Sequence, residues 1–313
     1  MGRSCPALLG GREASGKLKA AILISSCPRY LPLARWTAER IDQLWDAHPP
    51  IFFSGIDPVE CPADLKVRSD TRNWMAVTRD AVSDLQSLGF SHAYLILDDH
   101  PPLEKCHAIF LNRHLPEAAA RLGAACVGLL GYGQHRAIEG KILGERDLYL
   151  EQTSSSYRWR YSLHPGLWAL EALDELICLR MSQYPAGGQT PWNFERHRDV
   201  GGVAAGVNGE TFRVSGARWD AAQGRVCRQV MQWVRHAVFD LALFGVRLGR
   251  GGKVREEMSA KWLGAYSYYR GPYPIFWSGM MMQGKPNPHL GFFLQQPGVA
   301  GIRKSLTSMP KGF

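Results

Sequence analysis

No two of the seven cysteines, at positions 5, 27, 61, 106, 126, 178 and 227, stand at Cys-x-x-Cys spacing, and their number is odd. A disulfide framework and a zinc knuckle are both disfavoured, and the thiols read as reduced, as in a cytosolic compartment. No run reaches the ~18 uninterrupted apolar residues that a membrane-spanning helix needs. The first residues, which include Arg3, Pro6, Gly10, Gly11 and Arg12, lack the continuous apolar core of a signal peptide. The expected location is the cytoplasm. The phosphate-binding pattern Gly-x-x-x-x-Gly-Lys-Ser/Thr is absent, and so is Gly-x-Ser-x-Gly. The first apolar strand is followed by Ser-Ser-Cys-Pro-Arg rather than Gly-x-Gly-x-x-Gly. These absences disfavour a P-loop nucleotidase, an α/β-hydrolase and a dinucleotide-binding fold. There is no internal repeat and no low-complexity segment.

The chain has 313 residues, of which 45% are hydrophobic and 21% charged, the balance of an ordinary globular protein. That length suffices for one large domain or a domain with a smaller companion. A formal charge of +9 and a pI near 9.3 imply attraction to an anion: a sugar nucleotide, an acidic membrane face or a nucleic acid.

Apolar periodicity predicts a strand over 18–25, a helix over 33–47 and a second strand over 51–54, a strand–helix–strand unit that favours a parallel sheet. A helix follows over 73–88, with Gly89 placed as its C-cap. Tyr94, Leu95, Ile96 and Leu97 then form a short continuous apolar run that ends in Asp98-Asp99-His100-Pro101-Pro102. Such a run is how a buried central strand delivers charge to its C-terminal edge, where open α/β sheets bind ligands. Carboxylate and imidazole there suit a divalent cation and the phosphates it carries. Further on, the pattern predicts a helix over 104–122, a strand over 125–130, a strand over 147–152 with 157–163 as its hairpin partner, and a helix from Pro165 to Met181. Beyond residue 200 a strand over 210–216 and a long helix over 225–248 are expected. In that helix Val226, Val230, Trp233, Ala237, Leu241 and Phe244 recur at helical spacing beside a basic arc, as would a segment that lies on an anionic membrane, packs on the protein's own core or grips the phosphates of a nucleic-acid acceptor with its arginines.

Four stretches, Asp70-Thr71-Arg72-Asn73-Trp74, the strand ending in Asp98-Asp99, Tyr161-Ser162-Leu163-His164-Pro165-Gly166-Leu167-Trp168, and Pro191-Trp192-Asn193-Phe194-Glu195, together resemble bacterial and viral nucleotide-sugar glycosyltransferases of the GT-A fold. The resemblance covers roughly residues 18–200, with a fainter echo at 271–284. It implies an α/β, GT-A-like (Rossmann-like), mostly parallel sheet flanked by helices over 18–200. Residues 1–17 would form a tail and 201–313 a helical or irregular extension for acceptor, membrane or partner contacts.

The same resemblance implies transfer of a sugar from a nucleoside diphosphate donor to an acceptor hydroxyl with inversion. Mn²⁺ or Mg²⁺ would neutralise the leaving diphosphate. Asp99 and His100 are the expected metal ligands, although His100 also reads as a solvated residue before proline. Ser25, Ser26, Arg29, Asp70, Arg72 and Asp98 are the expected nucleotide-sugar contacts. Arg29 also reads as a surface arginine, and Asp70 as a helix N-cap. Glu195 suits the general base that takes the acceptor's proton; its bland reading is a surface glutamate paired with Arg196 or Arg198. Trp192 reads as an acceptor platform or a core residue, and His164 as an acceptor contact or a structural histidine. The acceptor is expected to be a glycan, a lipid-linked sugar or a hydroxymethylated DNA base, with peripheral contact at the inner membrane face. The alternative from another class is a basic, non-enzymatic protein bound to nucleic acid or membrane.

Overall fold

A computed structural model describes residues 18–27, 30–54, 73–130, 150–153, 160–195, 210–214, 268–269, 271–276, 279–282 and 285–287. Within them lies one seven-stranded sheet with helices on both faces. In chain order the elements are β1 (Ala20–Ser25), α1 (Leu31–Leu44), β2 (Ile51–Ser54), α2 (Trp74–Ser87), β3 (His92–Leu97), a π-helical turn (Phe110–His114) running into α3 (Leu115–Leu122), β4 (Ala124–Gly128), β5 (Leu150–Gln152), β6 (Gly166–Ala169), α4 (Leu170–Gln183), α5 (Pro191–Glu195) and β7 (Glu210–Val214). Two short ladders, Tyr268–Tyr269 with Ile275–Phe276 and Met281–Met282 with Lys285–Pro286, complete the described chain.

The sheet order is β2-β1-β3-β6-β4-β7-β5. β1 runs parallel to both β2 and β3, and β4 runs parallel to β7. The other three neighbours, β3–β6, β4–β6 and β5–β7, are antiparallel. The sheet is therefore mixed, not mostly parallel as the sequence pattern suggests. The difference comes from Gly166–Ala169, which is a strand inserted between β3 and β4 and not the first turn of the expected helix; the helix starts only at Leu170. Gly166 permits the insertion, because a Cβ there would sit 3.2 Å from the Val127 carbonyl oxygen. The expected hairpin is also replaced: β5 pairs with β7, from nearly 60 residues later, while Tyr161–Pro165 forms a loop.

Alternation along the strands divides the core into two layers. Ile22, Ile24, Tyr94, Ile96, Val127, Leu167 and Phe212 face α1, the π-helical turn and α3. Ala21, Leu23, Ala93, Leu95, Cys126 and Trp168 face α2, α4 and α5, meeting Leu85, Leu173, Leu176 and Phe194. Trp168 is fully buried and lies between Ala93 of β3 and Cys126 of β4, so it anchors the inserted strand. Trp168→Ala is expected to cost about 3–5 kcal/mol of stability by cavity formation, read from urea unfolding. A loss below about 1 kcal/mol would mean the site collapses around the smaller residue.

Helix α2 is capped by Asn73, whose Oδ1 accepts the Ala76 N–H at 3.0 Å, so the cap is not Asp70. Gly89 and Gly123 follow α2 and α3 with φ of 79° and 56°, the left-handed turn that glycine adopts without strain. The tail 1–17, Arg29, Asp70, Arg72, Arg196, Arg198 and the expected helix 225–248 lie outside the described residues. Among the described residues no helix is long and apolar enough to cross a membrane.

Candidate functional site

β3 and β6 are antiparallel with Leu95 opposite Gly166. The end of β3 and the loop that leads into β6 therefore emerge at the same edge of the sheet. β1 ends there too, because Ser25 pairs with Leu97 in parallel register. Three segments more than 60 residues apart in sequence thus meet at one place. Helix α4 runs back from the far end of β6, and the turn after it returns α5 to the loop: the Leu163 N–H donates to Glu195 Oε1 at 2.7 Å.

On the β1 side, Ser26 Oγ donates to Asp98 Oδ2 at 2.5 Å, and Thr37 Oγ1 donates to the Asp98 carbonyl at 2.5 Å. The Asp98 N–H donates to the Ser25 carbonyl, and Trp74 Nε1 donates to Ser25 Oγ at 2.7 Å. Asp98 is buried. Burial raises its pKa well above the ordinary carboxylate range, the adjacent Asp99 charge raises it further, and the Ser26 hydrogen bond and His100 oppose the rise. The native state then holds this proton more tightly than the unfolded chain, whose Asp titrates near about 3.9. The stability this represents is present below that value and is lost as pH rises towards the folded pKa. Asp98→Asn is expected to lose less stability than wild type between about pH 4 and mildly alkaline pH, measured from urea midpoints. Equal slopes in the two proteins would show that Asp98 carries no such shift.

Asp99 and His100 turn at the strand end, held by three backbone contacts. The His100 N–H donates to the Leu97 carbonyl, the Met280 N–H to the Asp99 carbonyl at 3.1 Å, and the Tyr273 hydroxyl to the His100 carbonyl at 3.1 Å. Tyr273 and Met280 therefore brace the strand-end turn. The Asp99 side chain is 16% exposed, and its Oδ1 lies 2.9 Å from His100 Nδ1. His100 is buried rather than solvated, and its ring meets that of His164 edge to face, with centroids 5.6 Å apart.

On the β6 side, Ser162 Oγ lies 2.6 Å from His164 Nδ1 and 3.2 Å from Glu195 Oε1. Burial raises the Glu195 pKa, while the Leu163 and Ser162 hydrogen bonds and the His100 charge oppose the rise. A carboxylate so placed is a stronger base than one in water. Glu195 is thus tied into the β6 loop and is not a freely solvated surface residue. Trp192, on the same short helix, is 69% exposed, so the core reading fails for it. The structure places Ser25, Ser26, Asp98, Asp99, His100, His164 and Glu195 at one sheet edge. The sequence reading missed Ser162, Trp74, Thr37 and the bracing Tyr273. Ser162 stands two residues before His164, and this was the signal available.

Among the described residues, no three His, Cys, Asp or Glu side chains converge to form a metal cage of their own. Asp99 and His100 offer one hard oxygen and one imidazole, the kind of partial set that Mg²⁺ or Mn²⁺ completes with water and substrate phosphates.

No protein-family model matches the sequence, and no curated protein matches it. Among solved structures the chain is similar to the crystal structure of mannose-1-phosphate geranyltransferase from Thermus thermophilus. The identity is 12% and the TM-score 0.33, with 63% of this chain and 74% of that chain covered. A likeness of that size says nothing about activity.

Proposed function

We propose that this protein is a glycosyltransferase of the GT-A type, moving a sugar from a nucleoside diphosphate donor to an acceptor hydroxyl with inversion. The observation that carries the reading is the meeting of carboxylates of different character at one sheet edge: Asp98 and Asp99 at the end of β3, and Glu195 at the end of α5, hydrogen-bonded to the loop that enters β6. An inverting transfer needs both, one neutralising the leaving diphosphate and one accepting the proton of the attacking hydroxyl. Ser25, Ser26 and Asp98 form the donor side; Arg29, Asp70 and Arg72 are proposed to join them. Asp99 and His100 would hold Mn²⁺ or Mg²⁺, which supplies charge neutralisation for the departing diphosphate when bound. Glu195 is the acceptor-side carboxylate, and exposed Trp192 offers a face on which a sugar ring can stack.

The net charge of +9 favours an anionic donor and, equally, an anionic acceptor such as a lipid-linked sugar phosphate or modified DNA. Thermal unfolding in the presence of a panel of sugar nucleotides with Mn²⁺ tests the donor site. A bound donor at 100 times its Kd adds about 2.7 kcal/mol of stability. No stabilisation by any sugar nucleotide would refute the reading.

A further inference from the structure

Trp74, the first residue of α2, touches both sides of the site. Its Nε1 donates to Ser25 Oγ at 2.7 Å, and its ring meets that of Phe194 edge to face with centroids 5.3 Å apart. Phe194 is fully buried on α5 and immediately precedes Glu195. A second pair of contacts joins the same region: Asn73 Nδ2 donates to Gln189 Oε1 at 2.5 Å, and the Met75 N–H donates to the Gln189 carbonyl at 3.3 Å. The start of α2 and the turn into α5 therefore form one unit, and Trp74 ties that unit to the end of β1.

An indole N–H can only donate, so it occupies one lone pair of Ser25 Oγ. The Ser25 hydroxyl proton then needs a different acceptor. Ser25 is 3% exposed, and no acceptor among the described residues receives that proton. Its register partner Ser54, on β2, is 2% exposed, and among the described residues the Ser54 Oγ makes no hydrogen bond either. A buried hydroxyl left in this way is costly, whereas one held in a fixed direction is ready to donate to a ligand oxygen.

We propose that Trp74 is a positioning residue for both sides of the site. Through Nε1 it leaves the Ser25 proton to an oxygen of the donor's nucleoside diphosphate, and through its ring it holds Phe194, and so Glu195, against the acceptor. The donor oxygen rests on the transferase reading; the two contacts of the indole do not. Phenylalanine at this position keeps a ring edge on Phe194 and loses only the N–H, whereas leucine loses both.

The test uses the full chain labelled with ¹⁵N-tryptophan and ¹⁵N-leucine, and titration with UDP, GDP, CDP and ADP in the presence of Mg²⁺. Trp74→Phe assigns the Trp74 indole signal, and Ser25→Ala should shift the indole proton as the hydrogen bond is lost. Ser25→Ala and Trp74→Phe should each weaken binding of the preferred nucleotide about tenfold, the effect of losing one hydrogen bond to a charged oxygen, and the double variant should weaken it no further. The Leu163 amide, bonded to Glu195 at 2.7 Å, should keep its chemical shift in Trp74→Phe and change it in Trp74→Leu. In the transfer reaction Trp74→Phe should raise the donor KM, and Trp74→Leu should lower kcat as well. An indole proton unmoved by Ser25→Ala, or a Trp74→Phe protein that binds the nucleotide as wild type does, overturns the proposal. A Leu163 amide indifferent to Trp74→Leu overturns the link to Glu195. Wild type that binds none of the four nucleotides, with the indole shift as expected, would refute the transferase reading and the donor oxygen with it.

Discussion

Glu195→Gln is expected to retain donor binding and to lower turnover by about 10²-fold or more, as loss of a general base does. The substitution suits the question because the glutamine carbonyl can still accept the Leu163 N–H that holds the wild-type side chain at 2.7 Å. The loop geometry is then kept and only proton acceptance is lost. Burial raises the Glu195 pKa, so the rise of kcat/KM with pH should fall above the ordinary glutamate range and vanish in the variant. Stopped-assay rates across pH, with donor affinity measured separately, check both parts. An unchanged turnover number, or a loss confined to donor affinity, would remove Glu195 from the chemistry.

Asp99→Ala is expected to abolish transfer with the fold intact. Alanine retains the backbone carbonyl that accepts the Met280 N–H, so the bracing of the strand end survives. What disappears is the carboxylate proposed to help neutralise the leaving diphosphate, a contribution of several kcal/mol to the transition state. Full activity in the variant, at saturating donor and with EDTA present, would discard a metal at this position.

The strand that delivers Asp98 and Asp99 was legible because four consecutive apolar residues followed by charge and two prolines have few other folded solutions. Its burial on both faces, with Tyr94 and Ile96 on one side and Ala93 and Leu95 on the other, agrees with that reading. β6 was not legible for a local reason. Its four residues flow directly into a 14-residue helix with no turn between, and strand pairing is a long-range property that a four-residue window does not carry. The pairing of β5 with β7 was hidden in the same way, since a nearer segment offered an equally plausible hairpin. The site suffered the same division. Asp98, Asp99 and Glu195 stood out as carboxylates beside apolar or aromatic runs, but Ser162 has no compositional signature and takes its significance only from the two side chains it joins.

The central claim is that this sheet edge handles a sugar nucleotide, and release of nucleoside diphosphate from a panel of such donors, with Mn²⁺ present, tests it most directly. The account predicts release from at least one donor, slowed in Asp99→Ala, and accelerated by an acceptor in wild type but not in Glu195→Gln. No release from any sugar nucleotide, together with salt-sensitive binding to duplex DNA or to anionic liposomes, would contradict it and mark the chain as a basic binding protein.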